Sequence, residues 1–376
     1  MAEEHPGGPL RVTRFLPEPL ASLPFMVGFH GLGPWHAYRY TCLRLISFAC
    51  DSISAQFAHE PAVKDREPSL SVDKVTAFVK RVTDTPHDAE CYFGSRGIIL
   101  YIAYVTYPPL YFAGPVLSYN GFVAQLERPS HLQSARDLGT YAIGILVHSV
   151  ILEISLQFFY YPGWLGSEAP LELLLSLPLS EITVAMHSLI NFEFMSLLVI
   201  WRVQRLVAAL DGIEVFENMT RNINFVCSFQ DLWRIWNASL NRFAIRYIYV
   251  PLGGKSRPLL GVLVTFIFIA FWHEVGGAGT ATHWYIWGVL NFLCVVFEKV
   301  VVVQLRLLRK GQISVAVVGA VTYQLMLWAN IPALMTWDVS YSLWCRLAYS
   351  WATVAPPVLY GLQGIIAESA ARRQAD

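Results

Sequence analysis

Charged residues are absent, or reduced to one, in six long stretches of this chain. None occurs in residues 97–117 or 311–337. Single charges interrupt four others: Glu153 in 138–161, Glu193 in 182–201, Glu274 in 258–297 and Arg346 in 339–367. A helix needs about 20 mostly apolar residues to cross the hydrocarbon of a bilayer. The six stretches therefore predict about seven spans, since 258–297 is long enough for a hairpin turning at Gly276, Gly277 and Gly279. Residues 38–57 form an eighth candidate, interrupted by Arg39, Arg44 and Asp51. The predicted fold class is all-α, a polytopic transmembrane helical bundle of about 7–9 spans.

The charges collect between these stretches, in residues 64–90, 127–137, 202–255 and 299–310. Lys255 and Arg257 precede the expected hairpin, while Lys299, Arg306, Arg309 and Lys310 follow it. Both its ends are therefore expected on one side, which the positive-inside rule makes cytoplasmic. Residues 1–37 read as a polar, Pro- and Gly-rich segment, 38–367 as the membrane domain and 368–376 as a short polar tail. The first residues, MAEEHPGGPL, lack a basic leader and apolar core, so insertion is expected from the spans rather than from a cleaved signal.

Composition sharpens this picture. Of 376 residues, 55% are hydrophobic and only 14% charged, against roughly a quarter in soluble proteins. That excludes an ordinary soluble enzyme. The 27 basic and 27 acidic residues cancel, leaving no electrostatic footprint for nucleic acid. Aromatic residues at 14% exclude a disordered chain. The 6 cysteines form no C-x-x-C pair, and several sit in apolar runs as small hydrophobes.

Ionisable groups inside apolar spans are costly and therefore candidates for function. His148, Glu153, His187, Glu193, His273, Glu274 and Arg346 qualify, each against the alternative of a helix-packing hydrogen bond. His148 and Glu153, five apart, do not share a helix face. His273 ends the run LLGVLVTFIFIAFWH and is followed by Glu274 and the glycine turn. A desolvated, neutral imidazole there can accept a proton from a hydroxyl, which suits a general base.

The second locus is SFQDLWRIWNASLNRFAIRYIYVPLGG, residues 228–254. Ser228 followed by Asp231 marks a helix start, and Pro251, Gly253 and Gly254 mark its end. At about 100° per residue, Phe229, Leu232, Trp233, Trp236, Leu240, Phe243 and Tyr247 share an apolar face. Gln230, Arg234, Asn237 and Asn241 form an adjoining polar stripe, while Ile235 and Ile245 fall off the apolar face. An amphipathic helix at the membrane interface is expected, and by spacing alone its asparagines need only meet water or headgroups. No zinc spacing surrounds His273 and His283, and neither a phosphate-binding G-x-x-x-x-G-K-[ST] loop nor a G-x-S-x-G elbow occurs.

The segment ENMTRNINFVCSFQDLWRIWNASLNRFAIRYIYVPLGG, followed downstream by FIAFWHE, resembles the membrane-bound O-acyltransferases. Within them it is similar to the glycerol-uptake-protein subgroup related to Hedgehog acyltransferase. The upstream LYIAYVTYPPLYFAGPVLSYNGFVAQLERP shares the likeness, which runs from about Tyr40 nearly to the C-terminus. The resemblance implies transfer of a fatty acyl group from a thioester to a hydroxyl acceptor in the membrane. Acyl-CoA is then a co-substrate, with no covalently bound cofactor and no metal. The family histidine falls on His273 and its polar partner on Asn237. His273 would take the acceptor's proton, and Asn237 would orient the acceptor or donate to the developing oxyanion. For fungal members the implied role is reacylation of lyso-glycosylphosphatidylinositol anchors in the endoplasmic reticulum.

Supporting roles are expected for Asn241 beside Asn237, for Glu274 beside His273, for Arg246 and Tyr247 at the mouth facing CoA phosphates or headgroups, and for Trp233, Trp236 and Trp272 along an acyl tunnel. Members of the subgroup often carry His where Asn237 stands, and other branches Asn or Asp. They also carry further spans before the LRLISFACD segment, so either a reduced core or a start-truncated chain is expected. Two other function classes remain open at this point: a proton-coupled glycerol transporter in which His273 and Glu274 relay protons, and a catalytically idle scaffold.

Overall fold

The computed structural model describes residues 34–57, 74–85, 87–127, 129, 132–158, 176–226, 228–274, 282–303, 312–335 and 337–348. Every regular element among them is helical. The chain divides into two compact units, residues 1–157 with 195–218, and residues 158–194 with 219–376.

The first unit holds α1 (Pro34–Phe57), α2 (Lys74–Asp84), α3 (Gly94–Thr106), the short α4 (Pro108–Tyr111), α5 (Tyr119–Glu127), α6 (Ala135–Phe158) and the second half of α7 (Leu179–Leu210). Stretch 97–117, expected as one span, is broken. Proline disfavours helical backbone in the residue before it, and Tyr107 sits at φ −56°, ψ 109° ahead of Pro108. The 13 residues of α3 rise only about 20 Å, short of the roughly 30 Å hydrocarbon. Residues 113–118 then run buried and non-helical into α5. There the polar residues of α1 find their use. Ser47 Oγ accepts from the Tyr119 amide at 2.9 Å, and Asp51 Oδ2 accepts from the Asn120 amide at 3.1 Å. The Tyr119 ring anchors the core, with Phe48, Tyr92 and Tyr104 at 4.9, 5.5 and 5.4 Å.

Among the described residues, Ala135–Phe158 and Ser180–Leu210 are long and apolar enough to cross a membrane. α6 turns Ile143, Leu146, Val147, Val150 and Ile154 outward, as a lipid-facing helix does.

The second unit holds the first half of α7, then α8 (Phe229–Ile235), α9 (Ala238–Ala244), a π-helical turn at Ile245–Tyr249, α10 (Pro258–Glu274), α11 (Thr282–Phe297), α12 (Gln312–Leu334) and α13 (Trp337–Ala348). α10 and α11 form the expected hairpin: His273 faces Trp284 near its closed end, and Phe266 and Ala270 lie against Gly288. A Cβ on Gly288 would stand 3.1 Å from the Phe266 carbonyl oxygen, so glycine permits this close helix approach. Gly276, Gly277 and Gly279 lie outside the described residues. α12 packs on α11 through Trp287 Nε1, which donates to Asn330 Oδ1 at 2.8 Å. Of the stretch 339–367, residues 339–348 belong to α13 and the rest lie outside the described residues.

The single amphipathic helix expected over 228–250 is two short helices. The break falls at Trp236 and Asn237, where Asn237 adopts the left-handed conformation (φ 50°, ψ 56°). It is the only non-glycine residue with positive φ among those described. The break resets the helical phase, so the apolar face drawn from Phe229 to Tyr247 is not continuous. Ile235, placed off that face, is buried, whereas Ile245 stays exposed. Ser228 does cap the start: its Oγ accepts from the Asp231 amide at 3.3 Å.

Candidate functional site

α10 carries no ionisable residue until its last two, His273 and Glu274. The His273 ring lies flat on Trp284 of α11, with centroids 4.0 Å apart and planes within 4°. Trp272 meets the same ring edge-on at 4.8 Å, and Trp287 does so at 6.2 Å. Stacking engages the imidazole face and fixes its plane, while both ring nitrogens lie in that plane, outside the stack. Beside it, Glu274 Oε1 is buried without a hydrogen-bond partner among the described residues.

α8 is fixed against this cluster from its first turn. Buried Glu298, just after α11, accepts from the Gln230 amide at 3.0 Å, and with Ser228 it satisfies amides that a helix start leaves unpaired. Trp233 then meets Trp287 at 5.4 Å and 89°, and Phe266 at 5.8 Å and 81°. Trp287 is thus shared: one edge-on contact to His273, another to the helix that leads into Asn237.

Asn237 is buried at the junction of α8 and α9. Its Oδ1 accepts from the Leu240 amide at 3.4 Å and lies 3.5 Å from the Ser239 hydroxyl, capping α9. Its Nδ2 donates to no described residue, and Asn237 and His273 are not hydrogen-bonded to each other. The left-handed backbone is what a short helix–break–helix needs here, and asparagine tolerates it better than most side chains.

The structure gathers only part of the predicted set. Trp272 and Glu274 stand beside His273. Trp236 turns instead to Phe194 of α7, at 6.1 Å. Asn241 is half-buried on α9, its amide closing the first turn onto the Asn237 carbonyl at 3.0 Å. Arg246 lies over the Tyr247 ring at 5.4 Å in the π-helical turn. Tyr247 packs on Phe243, which stacks on Phe268 of α10. Burial pulls the Arg242 guanidinium below its ordinary pKa, though arginine stays charged throughout the physiological range. No group of three or more His, Cys, Asp or Glu among the described residues is placed to hold a metal.

Sequence reasoning missed Trp284, Trp287 and Asn330. The first two were findable: in a hairpin closed near Gly277, the residues just after the turn must face His273. A second polar cluster was also missed as a unit. His187 Nδ1 and the Tyr323 hydroxyl are 2.6 Å apart, linking α7 to α12. One turn on, Asn191 Nδ2 donates to the His187 carbonyl at 2.9 Å, and Asn191 Oδ1 accepts from Asn224 Nδ2 at 2.7 Å. The His187–Asn191 pair at helical spacing on an apolar helix was its visible signal.

The chain matches the family model of MBOAT, the membrane-bound O-acyltransferase family, over residues 33–346. It is 28% identical to the membrane-bound O-acyltransferase GUP2 of Saccharomyces cerevisiae over 289 residues, 70% of this chain and 47% of that protein. It is 33% identical to the membrane-bound O-acyltransferase GUP1 of Candida tropicalis, covering 66% of this chain and 42% of the relative. To the protein-cysteine N-palmitoyltransferase HHAT of Mus musculus it is 30% identical, over 53% of this chain and 39% of the relative. The chain thus spans less than half the length of the curated relatives it matches.

Proposed function

The chain belongs to the membrane-bound O-acyltransferase family, and from that premise we propose that it transfers a long-chain fatty acyl group from acyl-CoA to a hydroxyl of a lipid acceptor. The observation that carries this reading is the tryptophan-walled His273 at the end of an apolar helix. His273 takes the proton of the acceptor hydroxyl as its oxygen attacks the thioester carbonyl. The carbon–sulfur bond then breaks, and the leaving thiolate recovers that proton from His273. Asn237 Nδ2, which donates to no described residue, is the group to stabilise the oxyanion between these steps.

The thioester is already activated, so the chain's main task is to hold two lipidic substrates in register. Trp272 borders the reacting centre, Trp236 lines the acyl path, and Asn241 supports the Asn237 turn. Arg246 and Tyr247 meet the CoA phosphates or headgroups at the mouth, and Glu274, next to His273, offers its buried oxygen to a group of the bound substrates.

The finer reading is a multi-pass protein of the endoplasmic reticulum. Its membrane domain covers residues 38–367, with about 7–9 spans once the interrupted segments are counted. Its acceptor is a lyso-glycosylphosphatidylinositol anchor. The relatives include both O-acyltransferases and a protein-cysteine N-palmitoyltransferase, so oxygen and nitrogen acceptors must be compared directly. Liposomes containing the purified chain receive palmitoyl-CoA with either a lyso-glycosylphosphatidylinositol or a peptide with an N-terminal cysteine, and products are read by mass spectrometry. The proposal predicts acyl ester on the lysolipid. Acylation of the peptide alone contradicts it, as does glycerol accumulation in vesicles that make no acyl product.

A further inference from the structure

Among the described residues, the first unit buries two arginines, Arg44 at 5% exposure and Arg205 at 7%, and treats them differently. Arg205 is neutralised within the chain. Its Nη1 stands 3.3 Å from Glu217 Oε2, its Nε donates to the Val215 carbonyl at 3.2 Å, and it lies over the Tyr141 ring at 4.8 Å. Arg44 has no such counter-charge. Its Nη1 donates to the Val105 carbonyl at 2.5 Å, and its guanidinium lies 5.9 Å from the Tyr104 ring centre and 5.7 Å from that of Tyr111. No carboxylate among the described residues pairs with it. Asp51, two turns further along α1, binds the Asn120 amide.

A guanidinium carries five N–H donors in one plane, and an unpaired buried charge is among the costliest groups a fold can hold. Arg44 also borders a cavity, walled by Tyr40, Tyr104, Tyr107, Pro115, Val116 and Phe122. This space measures about 290 Å³ counting its open mouth, and is narrow enough within to take about one water-sized group at a time. Two wall hydroxyls are already committed as donors: that of Tyr104 to the Leu117 carbonyl at 2.7 Å, and that of Tyr107 to Asp211 Oδ2 at 2.8 Å. The guanidinium is therefore the strong donor set on an otherwise aromatic and aliphatic wall.

We propose that this cavity is a binding site for a phosphate oxyanion. A non-bridging oxygen reaches Arg44 and the rest of the group occupies the mouth. Arginine matches phosphate geometry, and the surrounding wall has no polar demand of its own. That combination fits the phosphodiester of a membrane phospholipid, with free phosphate as the other source of the same chemistry. The site is independent of His273 and of the acyl-transfer reading.

The test is thermal unfolding of the full chain in non-ionic detergent, with three probes added separately: dioleoylphosphatidylglycerol, dioleoylglycerol and inorganic phosphate. The phospholipid is expected to raise the midpoint by about 3–4 °C at a hundredfold excess over its Kd, and dioleoylglycerol to leave it unchanged. An equal rise with inorganic phosphate supports the oxyanion site and assigns it to the free anion. Arg44→Gln is expected to lose the rise, and Arg44→Lys to keep part of it. An equal response of the wild-type chain to dioleoylglycerol overturns the proposal even if the variants do not fold, as does an undiminished response in Arg44→Gln.

Discussion

Asn237 caps α9, and the proposed reaction gives it a second role as donor to the oxyanion; three substitutions separate the two. Its backbone holds a left-handed conformation that costs an ordinary L-residue about 1–2 kcal/mol. Its Oδ1 caps α9 at 3.4 Å from the Leu240 amide, a long bond at the weak end of the capping range, worth about 0.5–1 kcal/mol. Asn237→Ala removes the cap and leaves a residue poorly suited to φ 50°, so a loss of about 2 kcal/mol is expected. Asn237→Gly loses the cap but relieves the backbone, so its stability should stay within about 0.5 kcal/mol of the parent. Asn237→Asp keeps the capping oxygen and the tolerated conformation. In the transfer reaction the three should behave alike, because all remove the amide donor assigned to the oxyanion, and each should slow turnover by about 10²- to 10³-fold. Denaturant unfolding in micelles measures the first set and initial rates of acyl transfer the second. Full activity in Asn237→Gly would refute the catalytic assignment, and an Ala variant as stable as the Gly variant would refute the argument from strain.

Trp284→Ala should lower kcat with little change in KM, since it removes the surface on which His273 is held flat, whereas Trp284→Phe should retain most of the rate; steady-state kinetics on both decides it. Gly261→Ala places a Cβ 2.5 Å from the Tyr249 ring and is expected to destabilise by about 1–3 kcal/mol, a loss that Tyr249→Ala in the same chain should largely recover in a double-mutant cycle. Glu298→Ala should cost about 1–2 kcal/mol by leaving the Gln230 amide unpaired and uncoupling α8 from α11, and the intrinsic fluorescence of Trp233 and Trp287 should shift in parallel with the melting curve.

What the sequence disclosed followed from periodicity and cost. The hairpin α10–α11 was legible because forty residues containing one charge must either cross a bilayer twice or fold into an apolar core. Ser228 was legible as a cap because the residues that cap helices are few. Two features escaped because hydrophobicity does not encode them. The broken stretch 97–117 is as apolar as a span, yet Pro108 and Pro109 end its helix, because proline geometry overrides the missing charges. The left-handed turn at Asn237 left no periodic trace, because a helical wheel assumes the continuity that Asn237 interrupts. Arg44 and Asp51, which interrupt 38–57 as an eighth candidate span, are both buried in the first unit. Asp51 is there to satisfy an amide of α5. At the site, His273 and Asn237 stood out through motif resemblance, whereas the tryptophan wall depended on hairpin register, and the His187–Tyr323 contact joins helices far apart in sequence.

The central claim is that His273 moves the proton in acyl transfer. It is tested most directly by reconstituting the wild-type chain, His273→Ala and His273→Gln side by side in liposomes with palmitoyl-CoA and a lysolipid acceptor, with melting curves showing that all three are folded. The account predicts that both variants lose at least about 10²-fold in rate while still binding palmitoyl-CoA. Product formed by folded His273→Ala at the wild-type rate would contradict it.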